Sequence, residues 1–224
     1  MNRELAEVIK LYATITPIEL NECLLGKSKN TLNALLTDLL TMYINDKNSL
    51  MLREFLTVTI AGYEHTERKI GYNGYKQSSI VGGNPIMCEA KPQNINTSKG
   101  VKRKLNGGGN FTDYTFERLE RDLQENLNML VSGFIDGKFI YIIEFPFRCE
   151  TFVNKLKKQL IKRFPQEEDI IGQFLRSASF YYKDCLNCKN LKVIYLLAKS
   201  KLRKYNSYIV KNFYDFLWRY ASDD

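Results

Sequence analysis

The stretch from Val131 to Phe147 does most to limit the folds open to this chain. It is a largely apolar run that contains Asp136-Gly137, a dipeptide typical of the tight turn between two antiparallel strands. The stretch therefore predicts a β-hairpin. The apolar segment from Leu191 to Ala198 predicts another strand, of the fully buried type. Strands of this kind belong in a sheet that other elements must cover.

Helical periodicity dominates the first part of the chain. Apolar residues recur at helical spacing there, most clearly from Thr31 to Asn45. We therefore expect a helical N-terminal region, residues 1–62, that braces the sheet or forms a dimer, and an α/β core, residues 63–224. Together they should form one compact α/β domain with a mixed central β-sheet flanked by helices. Further helices are predicted over residues 113–130, 151–164, 167–177 and 205–220.

Charge and cysteine content narrow the possible partners and locations. The chain has 33 Lys and Arg residues against 25 Asp and Glu residues, a formal net charge of +8. This balance favours a polyanionic partner, most simply nucleic acid. The five cysteines are odd in number and scattered, so we expect no disulfide framework and a reducing, cytoplasmic location. The N-terminal sequence is unlike a signal peptide, and no apolar run is long enough to span a membrane.

A short strand with two charges at its exit is the main chemical signal. Residues 85–91 are apolar up to Cys88 and then continue as Glu89-Ala90-Lys91. Because strand side chains alternate, Glu89 and Lys91 should point to one side and Ala90 into the core. A carboxylate and an ammonium placed together in this way suit a nuclease, in which Glu89 holds a divalent metal and Lys91 orients the attacking water. An upstream strand around Asn73, joined through glycine-rich turn residues, should bring Asn73 close to Glu89.

This arrangement resembles the PD-(D/E)xK nuclease superfamily and, within it, the type II restriction endonucleases. The family has an acidic residue on one strand and Glu-x-Lys at the end of the next, which Glu89 and Lys91 match. The resemblance implies a Mg²⁺ site formed by residue 73, Glu89 and the carbonyl of Ala90, with Asn73, Glu89 and Lys91 as the catalytic set. Chain length and general appearance are also similar to rare-cutting enzymes of that class.

Asn73 departs from the family pattern, which has aspartate at that position. An amide offers a metal one oxygen and no negative charge, so the resemblance implies a weakened or inactive metal site. One explanation is an engineered Asn in place of Asp, which we favour. The other is that an upstream carboxylate, such as Glu64 or Glu67, takes the role.

A basic, glycine-rich segment, residues 92–111, follows the strand and should form a mobile loop where nucleic acid would lie. Lysines in this loop would contact phosphates, and amide or guanidinium side chains would read bases. Because Asn and Gln pair bidentately with adenine, the loop points weakly to A·T-rich sites. The predicted DNA-binding residues are Gln93, Asn94, Asn96, Lys99, Lys102, Arg103 and Lys104.

The sequence thus favours a Mg²⁺-dependent type II restriction endonuclease that cuts a short palindromic duplex site as a homodimer, in a restriction-modification system. Two alternatives stay open. One is a catalytically inactive module that only binds DNA, which Asn73 favours. The other is a structure-selective nuclease such as a junction resolvase.

Overall fold

A computed structural model describes residues 3–45, 50–66, 72–78, 81–95, 97 and 103–223. It is an α/β fold with a mixed central sheet flanked by helices, which confirms the predicted fold class. None of the helices in the described ranges is long and apolar enough to cross a membrane. The helices are α1 Arg3–Thr14, α2 Pro17–Leu25, α3 Lys29–Asn45, α4 Leu50–Ile60, α5 Phe116–Gln124, α6 Glu150–Arg163, α7 Tyr182–Cys185, α8 Lys199–Leu202 and α9 Lys211–Tyr220, with a 3-10 helix over Arg203–Tyr208.

Six strands form the central sheet in the order β1-β2-β3-β5-β6-β8. β3 pairs in parallel with β5, and the remaining pairs in this sheet are antiparallel. The hairpin predicted around Asp136-Gly137 is confirmed as β5 and β6. β4 and β7 form a separate two-stranded sheet. The strands are β1 Glu64–His65, β2 Gly74–Lys76, β3 Ile86–Ile95, β4 Gly109–Tyr114, β5 Leu127–Ile135, β6 Lys138–Pro146, β7 Leu175–Phe180 and β8 Lys192–Leu196.

The sheet separates two hydrophobic cores. On one face, α1, α3 and α4 bury side chains such as Leu5 and Val58 against Ala90 and Ile142. On the other face, α5, α6, α9 and the β4–β7 sheet enclose a larger, phenylalanine-rich core. α1, α3 and α4 therefore cover one face of the sheet.

Two predictions in the middle of the chain are wrong. β3 continues through Pro92 to Ile95, so the segment predicted as a loop begins as a strand. The helix predicted over residues 113–130 begins later, because residues 113 and 114 lie in β4 and α5 is capped by Thr115, whose Oγ1 accepts a hydrogen bond from Arg118 N at 3.1 Å. The helix is shorter than predicted because residues 127–130 belong to β5, where all four pair with β3 and residues 128–130 also pair with β6.

The helix predicted over residues 167–177 is also wrong, because β7 begins at Leu175 and pairs with β4. Ala178 and Phe180 are buried while Ser177 is exposed, so the residues alternate as in a strand. β8 was predicted to be buried on both faces, but it lies at the sheet edge and is only partly covered. The C-terminal helix starts at Lys211, after the 3-10 helix.

Cys149 and Cys188 form a disulfide with Cα atoms 5.5 Å apart, which contradicts the expectation of unpaired cysteines. Cys149 precedes α6, and the first turn of α6 is tied to α7 through a hydrogen bond from Thr151 Oγ1 to Asp184 O at 2.7 Å. Folding therefore brings together two cysteines 39 residues apart, a proximity that their spacing in the sequence does not reveal.

Candidate active site

β2 and β3 pair with Gly74 opposite Cys88, as predicted for the strand that carries Asn73. Asn73 lies just before β2, and its Oδ1 accepts a hydrogen bond from Ala90 N at 2.7 Å. Its side chain thus takes the place of a main-chain hydrogen bond where the two strands separate. The amide nitrogen of Asn73 lies 3.5 Å from Oε2 of Glu54 on α4. In this arrangement the amide oxygen is directed to the β3 backbone, which argues against the predicted role of Asn73 as a metal ligand.

Glu89 and Lys91 point to the same side of β3, as strand alternation predicts. Lys91 Nζ donates a hydrogen bond to Glu89 Oε1 at 2.6 Å, while Ala90 is buried on the opposite face. Glu89 is 7% exposed. A carboxylate this deeply buried requires positive charge or hydrogen-bond donors close to it.

Arg118, which the sequence analysis missed, supplies a second positive charge. Its Nη2 lies 3.6 Å from Glu89 Oε1, and its Nη1 donates to Thr112 O at 3.2 Å. In the described part of the chain its Nε is buried without a hydrogen bond, and Asp122 Oδ2 lies 3.8 Å away. The guanidinium is therefore held between two carboxylates with one donor unused. Its position in the first turn of α5, directly after the Thr115 cap, was a local signal for an ordered arginine.

Aromatic rings hold both cations in place. Lys91 Nζ lies 4.5 Å from the centroid of the Phe111 ring, and the Arg118 guanidinium lies 5.5 Å from the same ring. Phe111 is fully buried in β4. These cation–π contacts restrict the two side chains to positions beside Glu89.

Asp122 on α5 adds a buried carboxylate to this cluster. Burial raises its pKa to about 6, although Arg118 and Arg121 lower it. The side chain is 6% exposed, and Arg121 Nη2 lies 3.4 Å from its Oδ1. Asp122 therefore changes its charge near neutral pH, close to the guanidinium that also contacts Glu89.

Glu89, Lys91, Arg118 and Arg121 line one groove of about 1510 Å³. Asn73, Glu89 and Lys91 all border it, so the structure brings the predicted catalytic residues to one place. Its charged lining, among the described residues, comprises Lys91, Arg103, Lys104, Arg118 and Arg121 against Glu54 and Glu89. Positive charge thus exceeds negative charge, which suits a polyanionic ligand.

The predicted DNA-binding residues divide into three groups. Asn94, Arg103 and Lys104 are exposed and line the groove. Gln93 also lines the groove, but its side chain forms two hydrogen bonds with Asn106. Gln93 Nε2 donates to Asn106 Oδ1 at 2.8 Å, and Gln93 Oε1 accepts from Asn106 N at 3.3 Å. Its amide is therefore already used within the protein. Asn96, Lys99 and Lys102 lie outside the described residues.

The structure points to a different second carboxylate from those suggested by the sequence. Glu64 lies in β1, and its Oε2 accepts a hydrogen bond from the hydroxyl of Tyr75 at 2.7 Å; it does not border the groove. Glu67 lies outside the described residues. Glu54, which the sequence analysis missed, borders the groove and contacts Asn73. It is an acidic residue in the otherwise mostly apolar sequence of α4, and this could have singled it out.

Within the described ranges, no group of three or more His, Cys, Asp or Glu side chains could hold a metal ion. Mg²⁺ is commonly bound by only one or two carboxylates together with waters and substrate phosphates. Glu54 and Glu89 both border the groove, and Glu54 Oε2 lies 3.5 Å from the amide nitrogen of Asn73. Their carboxylate oxygens are donors of the kind that Mg²⁺ takes.

Comparisons of the chain with models of protein families, with curated proteins and with solved structures find no match. The resemblance of Glu89 and Lys91 to a nuclease motif therefore stays a prediction from those residues.

Proposed function

We propose that this chain is a Mg²⁺-dependent endonuclease that hydrolyses phosphodiester bonds in double-stranded DNA. The observation that carries the proposal is the 2.6 Å contact between Lys91 Nζ and Glu89 Oε1 in a groove with surplus positive charge. Phosphodiester hydrolysis needs a negative group to hold a metal, a cation beside the attacking water and a surface that attracts phosphate. A buried carboxylate, an adjacent ammonium and a groove with surplus positive charge, all on or beside β3, support the proposal.

Glu89 and Glu54 would hold the Mg²⁺, with the carbonyl of Ala90 as a further oxygen ligand. The bound ion would polarise the scissile phosphate and make a water more acidic. Before metal binds, Lys91 and Arg118 neutralise Glu89. Both contacts compensate the charge of this buried carboxylate.

Lys91 and Arg118 have separate tasks in this scheme. Lys91 would donate a hydrogen bond to the attacking water and hold it in line with the phosphorus. Arg118 lines the groove with a partly exposed guanidinium, which would bind a phosphate oxygen and stabilise the charge that develops there. Phe111 keeps both cations beside the groove.

We further propose that two copies act together on a palindromic site, one on each DNA strand. Apolar side chains on α2 and α3 support this assembly: Ile18 and Leu25 are 75% exposed, and Leu36 is 54% exposed. Exposed apolar side chains of this kind suit contact with a second copy. Cleavage of specific duplex sites would place the protein in a cytoplasmic restriction-modification system.

A specific observation favours one alternative, a DNA-binding module without catalysis. Asn73 Oδ1 already accepts a hydrogen bond from Ala90 N, so it completes the backbone pairing of β3 and does not add to the charge of a metal site. In that case the groove would still bind DNA through its cations.

The substitution Asn73→Asp separates the two functions. It places a carboxylate between Glu54 and Glu89 and should raise Mg²⁺-dependent cleavage of plasmid DNA by about a hundredfold or more. Cut ends are mapped by sequencing, with EDTA as the metal-free control. The double variant Asn73→Asp/Lys91→Ala is the matched control and should lose the gain. Negligible cleavage by every variant on a plasmid of random sequence would contradict the nuclease and leave the binding module.

A further inference from the structure

The β4–β7 sheet has one apolar and one polar face. Its register pairs Phe111 with Ala178, and both residues are fully buried in the larger core. The intervening pairs, Asn110 with Ser179 and Thr112 with Ser177, point to the opposite face. These four uncharged polar side chains all line the groove, and Asn110, Thr112 and Ser177 are exposed. The ribbon therefore presents a row of hydrogen-bonding groups to the groove.

The ribbon starts directly beside Lys91. A Cβ atom added to Gly109 would lie 2.7 Å from Lys91 Cβ, closer than side chains tolerate, so a glycine is needed where β4 crosses β3. Arg118 joins the two parts as well, since Nη1 bonds to Thr112 O and Nη2 lies 3.6 Å from Glu89 Oε1. The polar face thus has a fixed position relative to the cluster around Glu89.

A side chain from α6 makes the outer strand rigid. Gln159 Oε1 accepts a hydrogen bond from Ser179 N at 2.9 Å, and Gln159 Nε2 donates to Ser179 O at 2.9 Å. The amide therefore binds the free edge of β7 as a neighbouring strand would. A surface that reads DNA benefits from such support, because its hydrogen bonds need not be ordered upon binding.

We propose that the outer face of the β4–β7 ribbon enters the major groove of double-stranded DNA and reads the bases next to the cleaved phosphate. The inference rests on the proposed nuclease function of the Glu89 cluster. The major groove is wide enough for a two-stranded ribbon, and Asn, Thr and Ser side chains both donate to and accept from base edges. Arg121, Arg103 and Lys104, which line the same groove, carry the positive charge that contacts the flanking phosphates.

Asn110 is the residue that determines specificity most strongly. Its amide can bond to N6 and N7 of one adenine at the same time, and the hydroxyl group of Thr112 can bond to the edge of a neighbouring base. Charge complementarity thus brings the duplex to the groove, and the ribbon selects an A·T pair within it. The role assigned from sequence to Gln93 moves to Asn110, because the Gln93 amide is occupied by Asn106.

Selection from a pool of short DNA duplexes with randomised centres tests this inference without relying on cleavage. The full chain is incubated with the pool in the presence of Ca²⁺, and bound duplexes are sequenced. The chain should enrich a site with at least one fixed A·T pair. Asn110→Ala should lower discrimination at that pair about tenfold, with non-specific affinity unchanged. Thr112→Val, which keeps the shape of the side chain, should change a different position of the site.

Arg121→Ala is the matched control and should weaken binding to all sequences alike, with a shallower salt dependence. Unchanged base preference in Asn110→Ala and Thr112→Val, with melting curves like that of the parent chain, would overturn the ribbon as the reading surface and leave the nuclease proposal standing. Sequence-selective binding without cleavage by the Asn73→Asp variant would overturn the nuclease proposal and leave the ribbon as the reading surface. Failure to bind any duplex would overturn both.

Discussion

Glu89 and Glu144 are buried carboxylates on two strands of the same sheet, and their surroundings differ. Glu144 Oε1 accepts hydrogen bonds from the Tyr63 hydroxyl at 3.1 Å and from Asn128 Nδ2 at 2.7 Å, with Lys76 Nζ at 3.5 Å. Glu89 contacts Lys91 and Arg118, and it borders the groove, whereas the groups around Glu144 do not. One carboxylate is enclosed by neutral donors and a single cation, and the other by two cations.

This difference indicates that the charge of Glu144 stabilises the fold, whereas the charges around Glu89 are available to a ligand. Around Glu144, burial and the carboxylate raise the pKa of Tyr63, so the hydroxyl keeps its proton and remains a donor. Such a closed network stabilises the fold and has no need of a partner. Glu89 and its two cations border a groove whose described lining carries more cations than carboxylates, so positive charge remains that a phosphate can neutralise.

The largest expected effect comes from removing each carboxylate in turn, in the Asn73→Asp background. Glu89→Ala should lower Mg²⁺-dependent cleavage by about a hundredfold or more, because it removes a metal ligand. It should also tighten metal-free binding to duplex DNA several-fold, since Lys91 and Arg118 lose their counter-charge. Cleavage rates on plasmid DNA and fluorescence anisotropy with EDTA measure the two effects.

Glu144→Ala is the matched control. It leaves Tyr63, Asn128 and Lys76 without their common acceptor and should lower the free energy of unfolding by about 2–4 kcal/mol. Cleavage by the folded fraction should stay within about twofold of the parent, because the network lies away from the groove. Chemical denaturation measures stability. Equal losses of cleavage in the two variants would show that Glu89, too, serves only the fold.

Replacing the cation beside each carboxylate should affect cleavage in the same unequal way, but less strongly than replacing the carboxylate. Arg118→Gln should lower cleavage about tenfold or more, because it removes a positive charge beside the phosphate. Lys76→Gln, next to Glu144, should leave cleavage unchanged. Both rates are measured on plasmid DNA at saturating Mg²⁺. A similar loss of cleavage in the two variants would assign Arg118 to general electrostatics and not to the site.

Local patterns in the sequence predict the strands that carry Glu89 and Lys91. They do not predict which distant parts of the chain fold next to these residues. Alternation along residues 85–91 places Glu89 and Lys91 on one side, and the Asp136-Gly137 turn identifies β5 and β6. Long-range pairing decides the rest. β4 and β7 are distant in sequence, so neither the ribbon nor the approach of Arg118 to Glu89 follows from spacing. The Cys149–Cys188 disulfide was missed for the same reason.

Asp122 is the third buried carboxylate among the described residues. It tests whether a buried charge next to Arg118 lowers the stability of the fold. Burial raises its pKa to about 6 from an ordinary value of 3.8, even though two arginines lie beside it. Its ionised form is therefore less stable in the folded chain than in the unfolded one. At pH values below about 4 both states bind the proton and the full stability is present. As the pH rises through 6, the contribution of protonated Asp122 to the free energy of unfolding is lost.

Asp122→Asn keeps the shape of this side chain without the charge. The variant should be more stable than the parent by about 1–2 kcal/mol at pH 8 and equally stable at pH 4. Urea denaturation at a series of pH values measures the difference. A variant that is less stable than the parent at pH 8 would mean that Arg118 and Arg121 outweigh burial. Asp122 would then be stabilised by its neighbours, as Glu144 is. The two regions would differ only in the two cations that contact Glu89.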